Sequence, residues 1–191
     1  MIKVIGIEFK RESFPDKTGK FIVDMDSISQ RAATLGNQIP IEWNYESDLE
    51  MIDLFYLVSH LKEHGFNNLS LCLFYIPNAR MDRVKDNTEI FTLKYFCNFI
   101  NSLKFTKVIV LDPHSNVSIA LLNNVEVINP KYSIKASFNS FKERSDKPII
   151  IFFPDEGSSK RYGDMVEGNR AFGIKKRDWK TGTILGLDVV G

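Results

Sequence analysis

Apolar runs of strand length alternate along the chain with longer stretches at helical spacing. Ser47-Asp48-Leu49-Glu50 has the form of a capping box, and Met51, Leu54, Phe55, Val58 and Leu61 follow at helical intervals up to Gly65. That pattern predicts a helix over 48–64 that stops at the glycine. Residues 69–75, Leu-Ser-Leu-Cys-Leu-Phe-Tyr, are nearly continuous in apolar character and predict a buried strand. A loop over 76–87 and a second helix over 88–103 follow, with Leu93, Phe96, Ile100 and Leu103 on one face. Val108-Ile109-Val110-Leu111 predicts another buried strand, then come a short helix near 116–122 and a strand at 125–128. Residues 1–9 and 20–25 read as short strands around a polar loop, 11–19. Strand, helix, strand, helix at this spacing predicts an α/β fold with a mainly parallel sheet.

The pattern changes after residue 130. Ile134, Phe138 and Phe141 are spaced as in an amphipathic helix, and Lys142-Glu143-Arg144-Ser145-Asp146-Lys147-Pro148 then forms a charged, proline-ended joint. This places one domain over 1–146 and a second region over 147–191. The second opens on a buried strand at 149–153, continues through a glycine-bearing loop and short helix, and reaches a strand near 171–175. At about 45 residues it is too short for a complete α/β domain. The expectation is therefore an incomplete second domain.

The composition narrows the function classes. The chain has 191 residues, 43% hydrophobic and 26% charged, with fifteen phenylalanines to fill a core. A net charge of +1 gives no global field for nucleic acid or an anionic membrane, so neither is expected as a partner. No apolar run approaches the ~20 residues that span a bilayer. The opening Met1-Ile2-Lys3-Val4 soon meets Glu8, Lys10 and Arg11, unlike a secretory leader, which implies a cytoplasmic location. Cys72 and Cys97 lie among apolar neighbours and read as buried free thiols.

Ligands in open parallel sheets bind outside the carboxyl ends of the strands, and those ends are loaded here. The 69–75 strand leads to Asn78, Arg80, Asp82 and Arg83, and the 108–111 strand to Asp112 and His114. The 149–153 strand leads to Asp155, Glu156, Lys160 and Arg161, and the last strand to Lys175, Lys176, Arg177 and Asp178. Together they suit a polyanion gripped by arginine and lysine, with a divalent cation on carboxylate and imidazole. His114 by itself reads equally as a turn histidine or a ligand. His60 and His64 share a helix face, but the zincin pattern is absent and a cation is favoured at a helix end in any case. Neither common nucleotide loop, Gly-x-x-x-x-Gly-Lys-Ser/Thr or Gly-x-Gly-x-x-Gly, occurs, and no serine stands in a nucleophile elbow.

Four segments, Ile-Pro-Asn-Ala-Arg-Met-Asp-Arg-Val, Val-Leu-Asp-Pro-His-Ser, Phe-Phe-Pro-Asp-Glu-Gly-Ser-Ser-Lys-Arg and Lys-Lys-Arg-Asp-Trp, occur in this order. The series resembles ribose-phosphate diphosphokinase, the phosphoribosyl-pyrophosphate (PRPP) synthetase family, clearly over 48–191 and loosely over 1–47. The resemblance implies two α/β domains of phosphoribosyltransferase type. It also implies Mg²⁺-dependent transfer of the ATP diphosphoryl group to ribose 5-phosphate, giving PRPP and AMP. Arg80 matches the family's ATP-contacting arginine, and Met81 replaces the glutamine beside it. His114 matches the histidine at the Mg-ATP phosphates, and Asp155 the second metal-side acid. Lys175 and Arg177 match the Lys-x-Arg of the mobile catalytic segment. Phe14 and Asp16 match part of the loop that holds adenine, which in the family comes from a neighbouring subunit, so a homo-oligomer is implied. Lys17 stands where that loop continues Gly-Glu.

The family's acidic, Thr/Gly-rich turn, whose backbone N–H groups cradle the sugar 5′-phosphate, has no match in these residues. A chain inactive alone is therefore expected, as a truncated piece, a split gene product or a polypeptide needing a second one. The alternative is a non-catalytic relative that binds nucleotide or a partner.

Overall fold

The computed structural model describes residues 1–178 and 183–191. The chain falls into two compact units, Met1–Ile128 and Asn129–Gly191.

The first unit runs β1 (Ile2–Val4), β2 (Ile7–Glu8), β3 (Lys10–Ser13), β4 (Gly19–Ile22), α1 (Met25–Thr34), β5 (Ile39–Trp43), α2 (Leu49–Glu63), β6 (Leu69–Leu73), α3 (Thr92–Ser102), β7 (Lys107–Leu111), α4 (Asn116–Leu121) and β8 (Val125–Ile128). Six strands form one sheet in the order β2-β1-β5-β6-β7-β8. β5 to β8 are parallel, and β1 runs antiparallel to both β2 and β5. The expected α/β architecture with a mainly parallel sheet is the one formed. Ile39, Ile41 and Trp43 of β5 and Leu69, Leu71 and Leu73 of β6 are fully buried. They belong to one core with Leu54, Leu57, Val58 and Leu61 of α2 and Leu93, Phe96, Cys97 and Ile100 of α3. Burial at this density supplies the main driving force for this unit.

Several local expectations are corrected. The stretch 11–19 is no simple loop: β3 and β4 pair antiparallel as a separate hairpin. Ser47 to Glu50 form no capping box. Asp48 is the helix N-cap without a side-chain cap bond. The Glu50 carboxylate instead accepts from Trp43 Nε1 at 3.0 Å and the Glu46 backbone N–H at 2.8 Å. A tertiary partner, the buried indole, outcompetes the local motif. The second helix starts at Thr92 rather than 88, because Asp86 draws Thr88 into a turn through its N–H and hydroxyl. The 69–75 strand ends at Leu73, and Phe74 and Tyr75 are half exposed. Cys97 is buried, but Cys72 is only partly so.

The second unit comprises α5 (Lys131–Arg144), β9 (Ile150–Phe153), α6 (Glu156–Tyr162), a 3-10 turn (Gly163–Met165), β10 (Asn169–Arg177) and β11 (Ile184–Val190). The units part ahead of α5 rather than after it. β9 and β10 are parallel, and β11 joins β10 antiparallel. The predicted burial of the first strand does not hold: Ile150 is 60% and Phe152 45% exposed, and only Phe153 is buried. A Cβ on Gly173 of β10 would lie 2.7 Å from the Pro154 carbonyl oxygen. That glycine lets β10 pass hard against the turn after β9, which fixes how Asp155 meets β10.

Among the described residues no helix is long and apolar enough to cross a membrane.

Candidate functional site

Two loops leave the carboxyl edge of the first sheet side by side. β6 and β7 are neighbouring parallel strands with Leu73 opposite Val110, so their following loops must emerge together. After β6, Ile76 and Ala79 are buried and anchor the turn, while Arg80 is exposed. Met81 is half buried, and its N–H donates to Asn78 O at 2.8 Å. After β7, the Asp112 N–H donates to Ile128 O at 3.1 Å, and His114 follows, exposed. Asn78 has φ of 60° and Asp112 φ of 45°. Both need the left-handed region, which Asn and Asp tolerate better than other non-glycine residues.

The two loops meet where Asp82 Oδ2 stands 3.9 Å from His114 Nδ1. Arg80 makes no hydrogen bond or ion pair among the described residues. Ser115 opens α4 and Thr92 opens α3, and each has a buried hydroxyl oxygen without a hydrogen-bond partner among the described residues. One edge thus carries an exposed guanidinium, an imidazole beside a carboxylate and two unspent hydroxyls.

In the second unit Asp155 caps α6. Its Oδ1 accepts from the Ser158 N–H at 2.8 Å in a capping box, and its Oδ2 accepts from Lys175 Nζ at 2.6 Å. The Lys175 bond foremost, then the Ser158 N–H, pulls the Asp155 carboxyl down to about 2. Lys175 is not on a loop, as the resemblance implies, but within β10, where it pairs with Leu187 of β11. Lys176 pairs with Asp188 at 2.7 Å. Arg177 ends β10, and its side chain lies outside the described residues.

Phe14 and Asp16 are in the turn of the β3–β4 hairpin. The Phe14 ring is half exposed. Asp16 accepts from the Thr18 hydroxyl at 2.6 Å and the Thr18 N–H at 2.9 Å, and these bonds lower its pKa. Asp16 is therefore a turn-former in the free chain. Arg11 Nη1 ties the hairpin to α2 through Asp53 Oδ1 at 2.8 Å.

The expected residues thus fall into Arg80, Met81 and His114 on the edge of the first sheet, Asp155 and Lys175 paired in the second unit, and Phe14 and Asp16 on the hairpin. Asp82 closes the stretch Asn78–Asp82 that the resemblance matches, but the resemblance gives it no role. Its signal in the sequence is its place among the polar residues that follow the 69–75 strand, four positions after Asn78.

Among the described residues no three His, Cys, Asp or Glu side chains stand together to hold a metal ion. Mg²⁺ commonly takes only one or two protein carboxylates and completes its shell with water and substrate phosphate oxygens. The Asp82–His114 pair fits an ion arriving on a phosphate chain, not one caged by protein alone.

This is an α/β protein with a phosphoribosyltransferase-like fold. The chain superposes on a crystal structure of phosphoribosylpyrophosphate synthetase from Mycobacterium smegmatis with a TM-score of 0.71 and 13% sequence identity, over 97% of this chain and 59% of that one. No protein-family model matches it. It is 21% identical over 145 residues to a ribose-phosphate pyrophosphokinase of Saccharolobus solfataricus, covering 74% of this chain and 48% of that protein. It is 20% identical over 188 residues to one from Sulfurisphaera tokodaii, covering 96% of this chain and 62% of that protein. The chain therefore spans about half to three-fifths of the relatives that it matches.

Proposed function

We propose that the chain is the nucleotide-side part of a ribose-phosphate diphosphokinase, a Mg²⁺-dependent enzyme that acts on ATP and ribose 5-phosphate. The observation that carries this reading is the approach of Asp82 to His114 where the loops after β6 and β7 emerge together, with exposed Arg80 two residues before Asp82. Arg80 would grip phosphate oxygens, and Met81 beside it would give the base an apolar neighbour where the family has a polar one. His114 and Asp82 would hold Mg²⁺ together with the phosphates, and the ion would supply charge neutralisation along the phosphate chain. In the reaction the sugar C1 hydroxyl oxygen bonds to the β-phosphorus, the Pα–O–Pβ bridge breaks towards AMP, and the hydroxyl proton leaves to solvent. Such transfer needs positioning and electrostatic stabilisation more than covalent help. Lys175 and Arg177 are the cations we assign to that developing charge, and Asp155 the second acid on the metal side. Phe14 and Asp16 would reach the adenine of a second subunit in a homo-oligomer. Exposed Ile184, Leu187, Val189 and Val190 of β11 support self-association.

A second reading, a non-catalytic relative that binds nucleotide or a partner, is favoured by one observation: both Asp155 oxygens are already engaged by Ser158 and Lys175. One set of assays separates the readings. The purified chain with Mg-ATP should show a raised Tm that EDTA removes, and no shift with ribose 5-phosphate alone. With both substrates these 191 residues should release no AMP, because no sugar-phosphate cradle of the family pattern occurs in them. Absence of any Mg-ATP shift would sink the nucleotide reading. AMP formed only with ribose 5-phosphate present would show that the chain completes the reaction by itself.

A further inference from the structure

Two histidines at the end of α2 are used by neither the core nor the phosphate edge. His60 and His64 stand one helical turn apart, with ring centroids separated by 4.3 Å and ring planes inclined by 53°. His64 is the helix C-cap, and its ring Nδ1 lies 2.9 Å from the His60 carbonyl oxygen. A carbonyl oxygen can only accept, so Nδ1 carries the hydrogen and Nε2 is the ring nitrogen left with a lone pair in the neutral tautomer. Metal-binding histidines are oriented in this way, by giving their other N–H to a backbone carbonyl or carboxylate.

His60 is part-buried beside a groove lined by Phe9, Phe21, Ile22, Val23, Tyr56 and Leu57. That lining contains no carboxylate to engage its ring, and His60 makes no side-chain hydrogen bond among the described residues. Two imidazoles bound to one ion at ~2.1 Å place their centroids ~5 Å apart, close to the 4.3 Å seen between these rings. The negative end of the helix dipole also favours a cation at this position.

We propose that His60 and His64 chelate one divalent transition-metal ion of borderline softness, Zn²⁺, Ni²⁺ or Cu²⁺, through Nε2 of His64 and a ring nitrogen of His60. Water completes the coordination. A donor set of two imidazoles selects these ions over Mg²⁺, whereas the phosphate edge pairs its one imidazole with the Asp82 carboxylate, so the two sites differ in chemistry and this proposal does not rest on the diphosphokinase reading. With two protein ligands it exchanges its ion readily.

The test is calorimetric titration of the full chain, free of any histidine tag, with NiCl₂ and with ZnCl₂. One ion per chain should bind, and millimolar MgCl₂ should not displace it. His60→Ala and His64→Ala should each weaken binding at least tenfold, with helix content by circular dichroism unchanged. His114→Ala should leave it unchanged. Parental affinity in either α2 variant, or loss of binding in His114→Ala, would overturn the proposal. No binding to the parent chain would overturn it as well.

Discussion

Lys175 Nζ lies 2.6 Å from Asp155 Oδ2, so a lysine in one strand neutralises the acid that follows the strand beside it. The carboxyl is held down at about 2 by that bond first and by the Ser158 N–H second. Lys175→Met should therefore raise the Asp155 pKa towards, but not fully to, its ordinary 3.8, since Ser158 still donates. A depressed carboxyl contributes stability above its unfolded pKa and loses it as the pH falls through the folded value. The parent chain should thus lose this contribution between about pH 4 and pH 2, and the variant should show less of that loss. Carboxyl carbon chemical shifts followed by NMR check it; an Asp155 midpoint unmoved by the substitution would remove Lys175 as the cause.

Arg11 and Asp53 make the opposite case. Burial pushes the Asp53 carboxyl up, and the Arg11 guanidinium only partly offsets it. Arg11→Met leaves that acid without its partner and should cost about 2 kcal/mol near pH 7. The folded chain binds this proton more tightly than the unfolded one, so stability falls as pH rises from 3.8 through the raised value. Without Arg11 that window extends upward. Urea denaturation should show a larger deficit at pH 7 than at pH 4. Equal deficits at the two pH values would mean that the arginine acts by packing on Phe21, whose ring it overlies at 5.6 Å.

The thiols give a third check. Burial raises the Cys97 pKa to about 11, and burial with help from Glu42 raises that of Cys72. The thiolate is the reactive form. At pH 8 a disulfide reagent should modify Cys72 slowly and Cys97 only on unfolding, giving two rapid equivalents in denaturant. Rapid modification of Cys97 in the native chain would contradict its burial.

What local sequence could and could not carry is visible at particular elements. β6 and β7 are legible because each is a continuous apolar run in a sheet covered by helices. β5, Ile39–Trp43, escapes notice because Pro40 and Glu42 interrupt it. α1 escapes because only Ile28 and Ala32 of its residues are buried. Arg80, His114 and Asp155 are legible as polar residues that end apolar runs. The closeness of Asp82 to His114 is not, because it follows from Leu73 standing opposite Val110, a register set by tertiary pairing. Lys176 and Arg177 read as charges following a strand near 171–175 but are themselves strand, since β11 pairs with them.

Arg80 offers the sharpest test of the phosphate edge. It is exposed, with no partner among the described residues, so Arg80→Ala should change stability by less than about 0.5 kcal/mol. An arginine that grips phosphate forms charge-assisted, often bidentate bonds, so the same change should weaken Mg-ATP binding at least tenfold, or about 1.4 kcal/mol. Arg80→Lys keeps the charge but not the fork and should restore only part of the affinity. Asp82→Asn should act differently: it removes a metal-side charge beside His114, so the Mg²⁺ concentration needed for ATP binding should rise while affinity at saturating Mg²⁺ changes less. Calorimetry at two Mg²⁺ concentrations separates the two effects. Parental Mg-ATP affinity in Arg80→Ala would remove the arginine, and with it the loop after β6, from the nucleotide site.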